Sequence, residues 1–183
     1  MGKAKLDYDW CWDTLFFGRG YMETYNFDKK RKIMTPHVIN PLVFGYDPVV
    51  SEVQEWRYYW KWITKNKWEL QKLIKSGKIT GIKKVDEIAS GIENYLWEYK
   101  TIVDQARMGV EPSPDPSTLD VFQILEFYSY NDKGVKCCYW VDKNFSKVLM
   151  EEELDLEDGE DGDSKWPIVV KESYRQPHSS LPF

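Results

Sequence analysis

Alternating apolar and polar positions predict strands over much of the chain, with helical stretches between them. Apolar residues are dense from Tyr8 to Phe17, which predicts a short helix that ends at the glycines of 18–20. The segment Tyr21–Phe27 alternates as a strand does, and a second strand is expected from Ile33. The basic run 29–32 between them is interpreted as a solvated hairpin tip rather than a phosphate contact.

Proline and capping signals organise the next part of the chain. Proline punctuation predicts an edge strand or extended loop over Val38–Phe44, and Ser51–Gln54 has the form of a capping box that begins one helical turn. Trp56–Ile63 is aromatic and predicts a strand. Thr64 is expected to cap a helix over residues 65–76, which Gly77 closes.

A longer helix is predicted from Val85 to Met108. Its apolar residues recur at steps of three and four, which is the spacing of one buried helix face: Ile88, Ile92, Tyr95, Leu96, Tyr99, Ile102, Val103 and Ala106. Gly91 weakens this helix by about 1 kcal/mol relative to Ala without ending it. A proline-rich connector follows over residues 109–119.

The final third of the chain predicts a second β-section. Strands are expected over Val121–Tyr130 and Val135–Val141, joined by the turn 131–134. Further strands are expected over Lys147–Met150 and Trp166–Tyr174, on either side of an acidic loop. The elements together predict one domain of the α+β class over residues 1–183, with a mixed or antiparallel sheet and two or three packed helices. Residues 1–108 form its first β-section with helices, and residues 120–183 its second.

The charge of the chain is unevenly distributed. The net charge of −5 comes from 25 basic and 30 acidic residues. Nine of the acids lie in the loop 151–163, which holds no base, so the remaining residues carry 25 bases against 21 acids, a net of +4. This is not the strongly basic composition of a module that grips nucleic acid. Aromatic residues make up 16% of the chain, which excludes intrinsic disorder.

Targeting and redox signals are sparse. No run approaches about 18 consecutive apolar residues, so no membrane span is expected. The first seven residues reach an acid before any apolar core, so no secretory signal is expected either. Three cysteines, Cys11, Cys137 and Cys138, have no framework spacing and are interpreted as free thiols in a reducing compartment.

No motif in the chain predicts catalysis, a cofactor or a metal. The two histidines, His37 and His178, lie outside any recognisable catalytic pattern, and no phosphate-binding glycine loop is present. Counted from Glu157, the acidic loop places Gly159 third and Ile168 twelfth, which fails the pattern of a calcium loop. A solvated loop is the favoured interpretation. We therefore expect no enzyme.

A cluster of aromatic residues is the most distinctive candidate site. Its members are Trp56, Tyr58, Trp60, Trp62 and Trp68. On a strand the first four share one face, with Tyr59 on the other, and such a face usually packs on a helix. The cluster is therefore predicted to form core or subunit contacts. The alternative is a carbohydrate-binding or glycoside-cleaving domain, which requires coplanar exposed Trp rings near a carboxylate pair.

Several segments in order resemble one family, the portal proteins of tailed bacteriophages. Asp13–Thr24 resembles that family's helix that ends at a small-residue turn before a strand, and Val38–Pro48 is similar to its stretch with spaced Pro, Phe and Asp-Pro. Trp56–Leu70 resembles its next strand and helix. Val121–Tyr128 resembles the start of its second β-section, and Trp166–Val170 with Leu181–Phe183 its usual exit. The helix 85–108 and the loop 151–163 have no counterpart and look like lineage insertions.

The resemblance implies a structural virion protein. Portal proteins form an oligomeric ring, typically of twelve copies, at one vertex of the phage head. This head–tail connector is the channel for DNA packaging and ejection. The stretch present here corresponds to the peripheral wing of a longer chain, without the channel-lining stem, the clip or the crown. The implied partners are copies of itself and capsid or scaffold proteins, with no direct nucleic-acid contact and no membrane. The implied location is the virion, and the host cytoplasm during assembly.

Overall fold

The structure is a computed structural model, and it describes residues 3–24, 27–28, 33–34, 36–91, 121–154 and 165–172. Helices and strands in chain order are α1 Lys3–Phe17, β1 Arg19–Glu23, β2 Phe27–Asp28, β3 Ile33–Met34, β4 His37–Ile39, β5 Phe44–Tyr46, β6 Tyr58–Asn66, α2 Lys67–Lys75, β7 Val121–Tyr130, β8 Lys136–Asp142, β9 Val148–Glu153 and β10 Ile168–Glu172. Single 3₁₀ turns lie at Pro41–Val43, Val53–Glu55 and Val85–Glu87.

The chain divides into two compact units. Unit 1 comprises Met1–Pro41, Val50–Glu55 and Leu156–Phe183, and unit 2 comprises Leu42–Val49 and Trp56–Asp155. Every pairing between named strands is antiparallel. With two helices and antiparallel sheets of three and five strands in the described residues, the predicted α+β class is confirmed. The treatment of residues 1–183 as one domain stays a prediction.

Unit 1 contains a three-stranded sheet in the order β10-β1-β4. Tyr21 in the central strand pairs with Val170 on one side and Ile39 on the other. Helix α1 packs closely on β1 at Gly20. A side chain at this position would overlap Trp10 and Thr14 of the helix, so the close approach needs a glycine here. The helix ends at Gly18, whose φ of +79° is the left-handed conformation expected at that position.

The predicted strand Tyr21–Phe27 is not continuous, because β1 ends at Glu23, Thr24 lies in no strand and β2 begins at Phe27. The short strands β2 and β3 pair as a hairpin would. Phe27 pairs with Met34, and Asp28 with Ile33. The expected second strand from Ile33 is therefore confirmed. Its basic tip, residues 29–32, lies outside the described residues. The edge strand or extended loop predicted over Val38–Phe44 is confirmed only at its start, where β4 lies at the edge of its sheet. A 3₁₀ turn at Pro41–Val43 follows, and Phe44 begins β5 in the other sheet.

Unit 2 contains a five-stranded sheet in the order β5-β6-β7-β8-β9. Its central pair runs from Tyr58 opposite Ser129 to Asn66 opposite Val121. The predicted hairpin of β7 and β8 is confirmed. Its turn is held by Asn131, whose side-chain oxygen accepts hydrogen bonds from the backbone N–H of Lys133 at 3.0 Å and of Val135 at 2.9 Å.

The start of α2 differs from the prediction. Strand β6 continues through Thr64 to Asn66, so Thr64 is not the cap. Asn66 accepts from the backbone N–H of Glu69 at 2.8 Å, and the Glu69 carboxylate accepts from the backbone N–H of Asn66 at 3.0 Å. This reciprocal pair is a capping box, and it begins the helix at Asn66. Thr64 is β-branched and remains in the strand. Gly77, at φ +73°, follows the helix end as predicted.

The predicted helix from Val85 is wrong in its described part. Only Val85–Glu87 is helical, as one 3₁₀ turn, and Ile88 is extended. Gly91 adopts φ +93° and its backbone N–H donates to the Val121 carbonyl at 2.7 Å, so Gly91 bridges to the sheet instead of continuing a helix. The rest of the predicted helix and the connector 109–119 lie outside the described residues.

Burial explains this departure from helical periodicity. Four apolar residues spaced by three are buried in unit 2: Ile79, Ile82, Val85 and Ile88. A spacing of three suits an irregular segment with 3₁₀ turns, where positions i and i+3 eclipse. Close approach to β9 holds the segment in place, since the backbone N–H of Gly81 donates to the Leu149 carbonyl at 3.1 Å.

The acidic loop begins later than predicted. Its first three acids, Glu151–Glu153, form the end of strand β9, and Leu154 is buried. The backbone N–H of Leu154 donates to the Lys136 carbonyl at 2.9 Å, which extends the pairing with β8. The remaining acids of the loop lie outside the described residues. Tertiary pairing therefore overrides the high local charge in its first three residues.

Candidate interaction surface

The five predicted aromatic residues occupy different environments in unit 2. Trp56 is buried, with 1% of its surface exposed. Tyr58, Trp60 and Trp62 are half-buried on β6. Trp68 is 66% exposed on α2. The structure therefore brings three of the five together on one sheet face and separates the other two from it.

The pleat of β6 explains why its two faces differ. Tyr59 and Lys61 alternate with the three aromatic residues and are buried on the opposite face. Tyr59 stacks on Tyr128 of the next strand, with ring centroids 4.3 Å apart and planes 13° apart. The more deeply buried face of this strand is thus the one that carries a lysine. Aromatic content alone did not indicate that.

An ion pair lies within that buried face. The Lys61 ammonium is 2.8 Å from Glu126 Oε2, and the Trp140 indole N–H donates to Glu126 Oε1 at 2.8 Å. The lysine and glutamate side chains are only 9% and 13% exposed. Both carboxylate oxygens therefore have a donor, which is the condition under which a buried carboxylate is tolerated.

Trp56 is held in place by contacts with strand β5. Its ring stacks on Tyr46 at 4.5 Å with planes 16° apart. The next residue, Arg57, forms a bidentate ion pair with buried Asp47. Hydrogen bonding from the Arg57 guanidinium, joined by the backbone N–H of Val49, holds the pKa of the Asp47 carboxyl well below its usual range. This pair ties the segment after β5 to the start of β6.

The opposite side of the sheet carries the aromatic face, which we define as Tyr58, Trp60, Trp62, Phe127 and Phe145. Tyr58 stacks with Phe127 at 5.9 Å, and Phe145 meets Trp62 edge-on at 6.0 Å. The ring of Trp60 occupies space that only a glycine at position 45 leaves free. Trp60 and Trp62 lie at 73° to each other, so this pair is not the coplanar pair of rings that the carbohydrate alternative predicts.

Phe145 extends the aromatic face from a strained turn. Its φ of +56° is unfavourable for a bulky residue, and its side chain is 65% exposed. Asp142 holds the turn, accepting from the backbone N–H of Ser146 at 2.7 Å and of Lys147 at 2.6 Å. Burial alone would raise the pKa of Asp142, but these hydrogen bonds outweigh it and lower the pKa.

Beside the aromatic face lies an acidic strand end, which we define as Glu151, Glu152 and Glu153 of β9. All three are exposed, and they pair in register with Tyr139, Cys138 and Cys137 of β8. Burial, together with the nearby thiol of Cys137 and the carboxylate of Glu151, raises the pKa of Tyr139 to about 12. This tyrosine therefore stays protonated and neutral beside the acids.

Helix α2 and the segment after it present a surface of the opposite charge. We define this basic corner as Trp68, Lys72, Lys75, Lys78, Lys83 and Lys84, all of which are exposed. The Lys72 ammonium lies 5.4 Å from the centroid of the Trp68 ring. A cation over an indole face adds polar recognition to a large apolar contact area. The sequence pattern indicated only that Trp68 belongs to the aromatic cluster, and it did not indicate this basic surface.

Unit 1 has an exposed aromatic surface of its own on α1. Tyr8, Trp12 and Phe16 recur every four residues and stack along the helix, with centroid distances of 6.3 and 6.4 Å. They are 65%, 45% and 70% exposed. Asp13 and Thr14, by contrast, are buried. The helix thus directs polar residues inward and aromatic residues outward.

The other candidate groups are dispersed. His37 is exposed on β4, and His178 lies outside the described residues. Cys137 and Cys138 are free thiols on opposite faces of β8, and Cys11 is a third free thiol in α1. Within the described ranges, no group of three or more His, Cys, Asp or Glu side chains could hold a metal ion. In the same ranges, no helix is long and apolar enough to cross a membrane.

No protein-family model matches this chain, and the search of curated proteins gave no significant match.

Proposed function

We propose that this chain is a structural subunit of a phage portal-like ring and forms part of its peripheral wing. The ordered resemblance of six segments, from Asp13–Thr24 to Leu181–Phe183, supports the assignment to this class. In the proposal the chain has no catalytic role. Its partners are further copies of itself and capsid or scaffold proteins. It acts in the virion, and in the host cytoplasm during assembly, and this stretch makes no direct nucleic-acid contact.

One observation supports an assembly role most strongly: large aromatic side chains are exposed in each unit. Trp12 and Phe16 project from α1 in unit 1, and Trp68 and Phe145 from unit 2. Exposing such rings to water is unfavourable, and contiguous exposed apolar surface typically marks interaction sites. Aromatic residues are also enriched in protein interfaces and their energetic hot spots.

Particle localisation tests the proposal. Phage particles produced from a genome that carries this gene are labelled with gold-conjugated antibodies against the chain, after the tail is detached. We expect label at a single vertex of each head, because a portal ring occupies one vertex only. A nonsense mutation in the gene is the control, and it should abolish both labelling and DNA-filled heads. Label distributed over the capsid, over tail fibres or on no particle would contradict the proposal.

A further inference from the structure

Unit 2 carries two exposed surfaces of opposite charge. The basic corner has five lysines and Trp68, and Glu69 is the one acid within α2. The acids that follow Lys84 are paired with other lysines: Asp86 with Lys67, and Glu87 with Lys147. The acidic strand end has three glutamates and no base. Such paired surfaces of opposite sign are the arrangement by which protein partners recognise each other.

The backbone of the basic corner is held by hydrogen bonds and packing within unit 2. Helix α2 begins at the capping box of Asn66 and Glu69, and it is anchored by Leu70, whose side chain is fully buried. The backbone N–H groups of Lys83 and Lys84 both donate to the Glu87 carboxylate at 2.9 Å. A backbone that is already held in place loses little entropy on binding, so the corner is suited to a specific contact.

The acidic strand end lies on a strand paired with β8, and its spacing matches the helix. Glu151 and Glu153 share one face of β9, about 7 Å apart by strand geometry. Lys72 and Lys75 lie one helical turn apart, with Cβ atoms about 5–6 Å from each other. Two alternate glutamates can therefore meet two lysines of one helix face. Trp68 lies one turn before Lys72 on the same helix face and offers the apolar anchor of the contact.

We propose that the acidic strand end of one copy of this chain docks on the basic corner of a second copy. The occupant is assigned by charge complementarity and by matched spacing, both of which this chain supplies itself. The two surfaces differ, so the contact is heterologous and propagates head to tail into a ring or an open filament. This inference rests on the proposed function, because it takes the second copy to be the neighbouring subunit of the ring.

The test measures self-association of the 183-residue chain by sedimentation velocity over a range of concentrations. We expect association at about 50 mM salt that weakens strongly at about 500 mM, because exposed charge pairs are screened. Two double variants should each raise the dissociation constant about tenfold or more: Lys72→Glu/Lys75→Glu and Glu151→Lys/Glu153→Lys. An equimolar mixture of the two should associate again, since each variant then faces an opposite charge.

Two further variants separate the contact from general charge effects. Trp68→Ala should weaken association about thirtyfold if Trp68 is the anchor of the interface. Lys5→Glu, a reversal on an exposed lysine of unit 1, should leave association unchanged. Far-UV circular dichroism of every variant verifies that the fold is retained, and recovery in the mixture verifies it again.

Several outcomes would overturn the inference. A chain that stays monomeric at all concentrations has no such contact. Association that survives both double reversals uses another surface. The chain could instead bind a labelled 30-nucleotide DNA and lose that binding in Lys72→Glu/Lys75→Glu, while Glu151→Lys/Glu153→Lys leaves self-association unchanged. That pair of results would assign the basic corner to nucleic acid. Each of these results leaves the single-vertex localisation, and so the proposed function, to be decided by particle labelling.

Discussion

The buried ion pair of Lys61 and Glu126 gives the sharpest test of how unit 2 is stabilised. Replacing Lys61 with Met keeps most of the side-chain volume but removes the ammonium that lies 2.8 Å from the Glu126 carboxylate. The carboxylate then remains in a site where it is only 13% exposed, with the Trp140 indole N–H as a donor. Breaking a buried pair in this way costs about 3–5 kcal/mol, because one charge is left uncompensated.

Removing both charges should cost far less than the sum of the single changes. In Lys61→Met/Glu126→Leu no charge is buried, and exchanging a buried pair for apolar residues is often neutral or stabilising. The Trp140 indole N–H loses its acceptor, which costs about 1–3 kcal/mol. We therefore expect the double variant to be about 1–2 kcal/mol less stable than the wild type. The coupling energy between the two sites should exceed about 2 kcal/mol.

Urea unfolding, followed by circular dichroism and tryptophan fluorescence, measures these free energies. With a slope near 1–3 kcal/mol per molar urea, a loss of about 3–5 kcal/mol in Lys61→Met should lower the urea midpoint of unit 2 by about 1–5 M. Lys133→Met, on an exposed lysine of the hairpin turn, is the matched control and should change stability by less than about 0.5 kcal/mol. A loss below about 1 kcal/mol for Lys61→Met, or additive effects in the double variant, would refute the reasoning.

Three further predictions concern packing, capping and pH. Trp56→Ala should destabilise by about 3–5 kcal/mol in urea unfolding, since the ring is buried, whereas Trp68→Ala should stay within about 0.5 kcal/mol; equal effects would contradict the burial assignment. Asn66→Ala should cost about 1 kcal/mol and Thr64→Ala less, and the reverse order would place the cap at the threonine. The pKa of Asp47 is lower in the folded state than in the unfolded state, so the stabilisation that Asp47 contributes is present above its unfolded pKa of about 3.9 and is lost as pH falls through the folded pKa. Asp47→Asn should therefore reduce the loss of stability on the acid side of the pH profile. An unchanged acid side would exclude a stabilising role for the Asp47 carboxylate.

Local sequence signals were sufficient where neighbouring residues decide the structure. The boundaries of strand β7 agree with the predicted Val121–Tyr130, because alternation and the turn at Asn131 act within a few residues. The end of helix α1 at Gly18 follows from the left-handed conformation that glycine adopts readily. The α+β class itself follows from such local signals summed along the chain.

Signals that depend on distant partners were misassigned. A helix was expected from Val85, with Ile88 on its apolar stripe, yet this segment forms a 3₁₀ turn and a bridge to the sheet at Gly91. Glu151–Glu153 read as a solvated loop, but pairing with β8 makes them strand. Backbone hydrogen bonds to a neighbouring strand can outweigh local charge and propensity, and a sequence window contains no information about that neighbour.

The candidate surface was partly predictable for the same reason. The aromatic alternation of β6 was evident in the sequence, and so was the shared face of Tyr58, Trp60 and Trp62. Which face of β6 is buried depended on strand β7, which contributes Tyr128 and Glu126 more than sixty residues later. The basic corner and the acidic strand end became surfaces only when the fold ordered their side chains. Sequence alone determined the local periods and turns of this protein, because these act over a few residues. The tertiary structure decided which faces are buried and which surfaces remain to meet a partner, because burial is set by contacts between residues far apart in the chain.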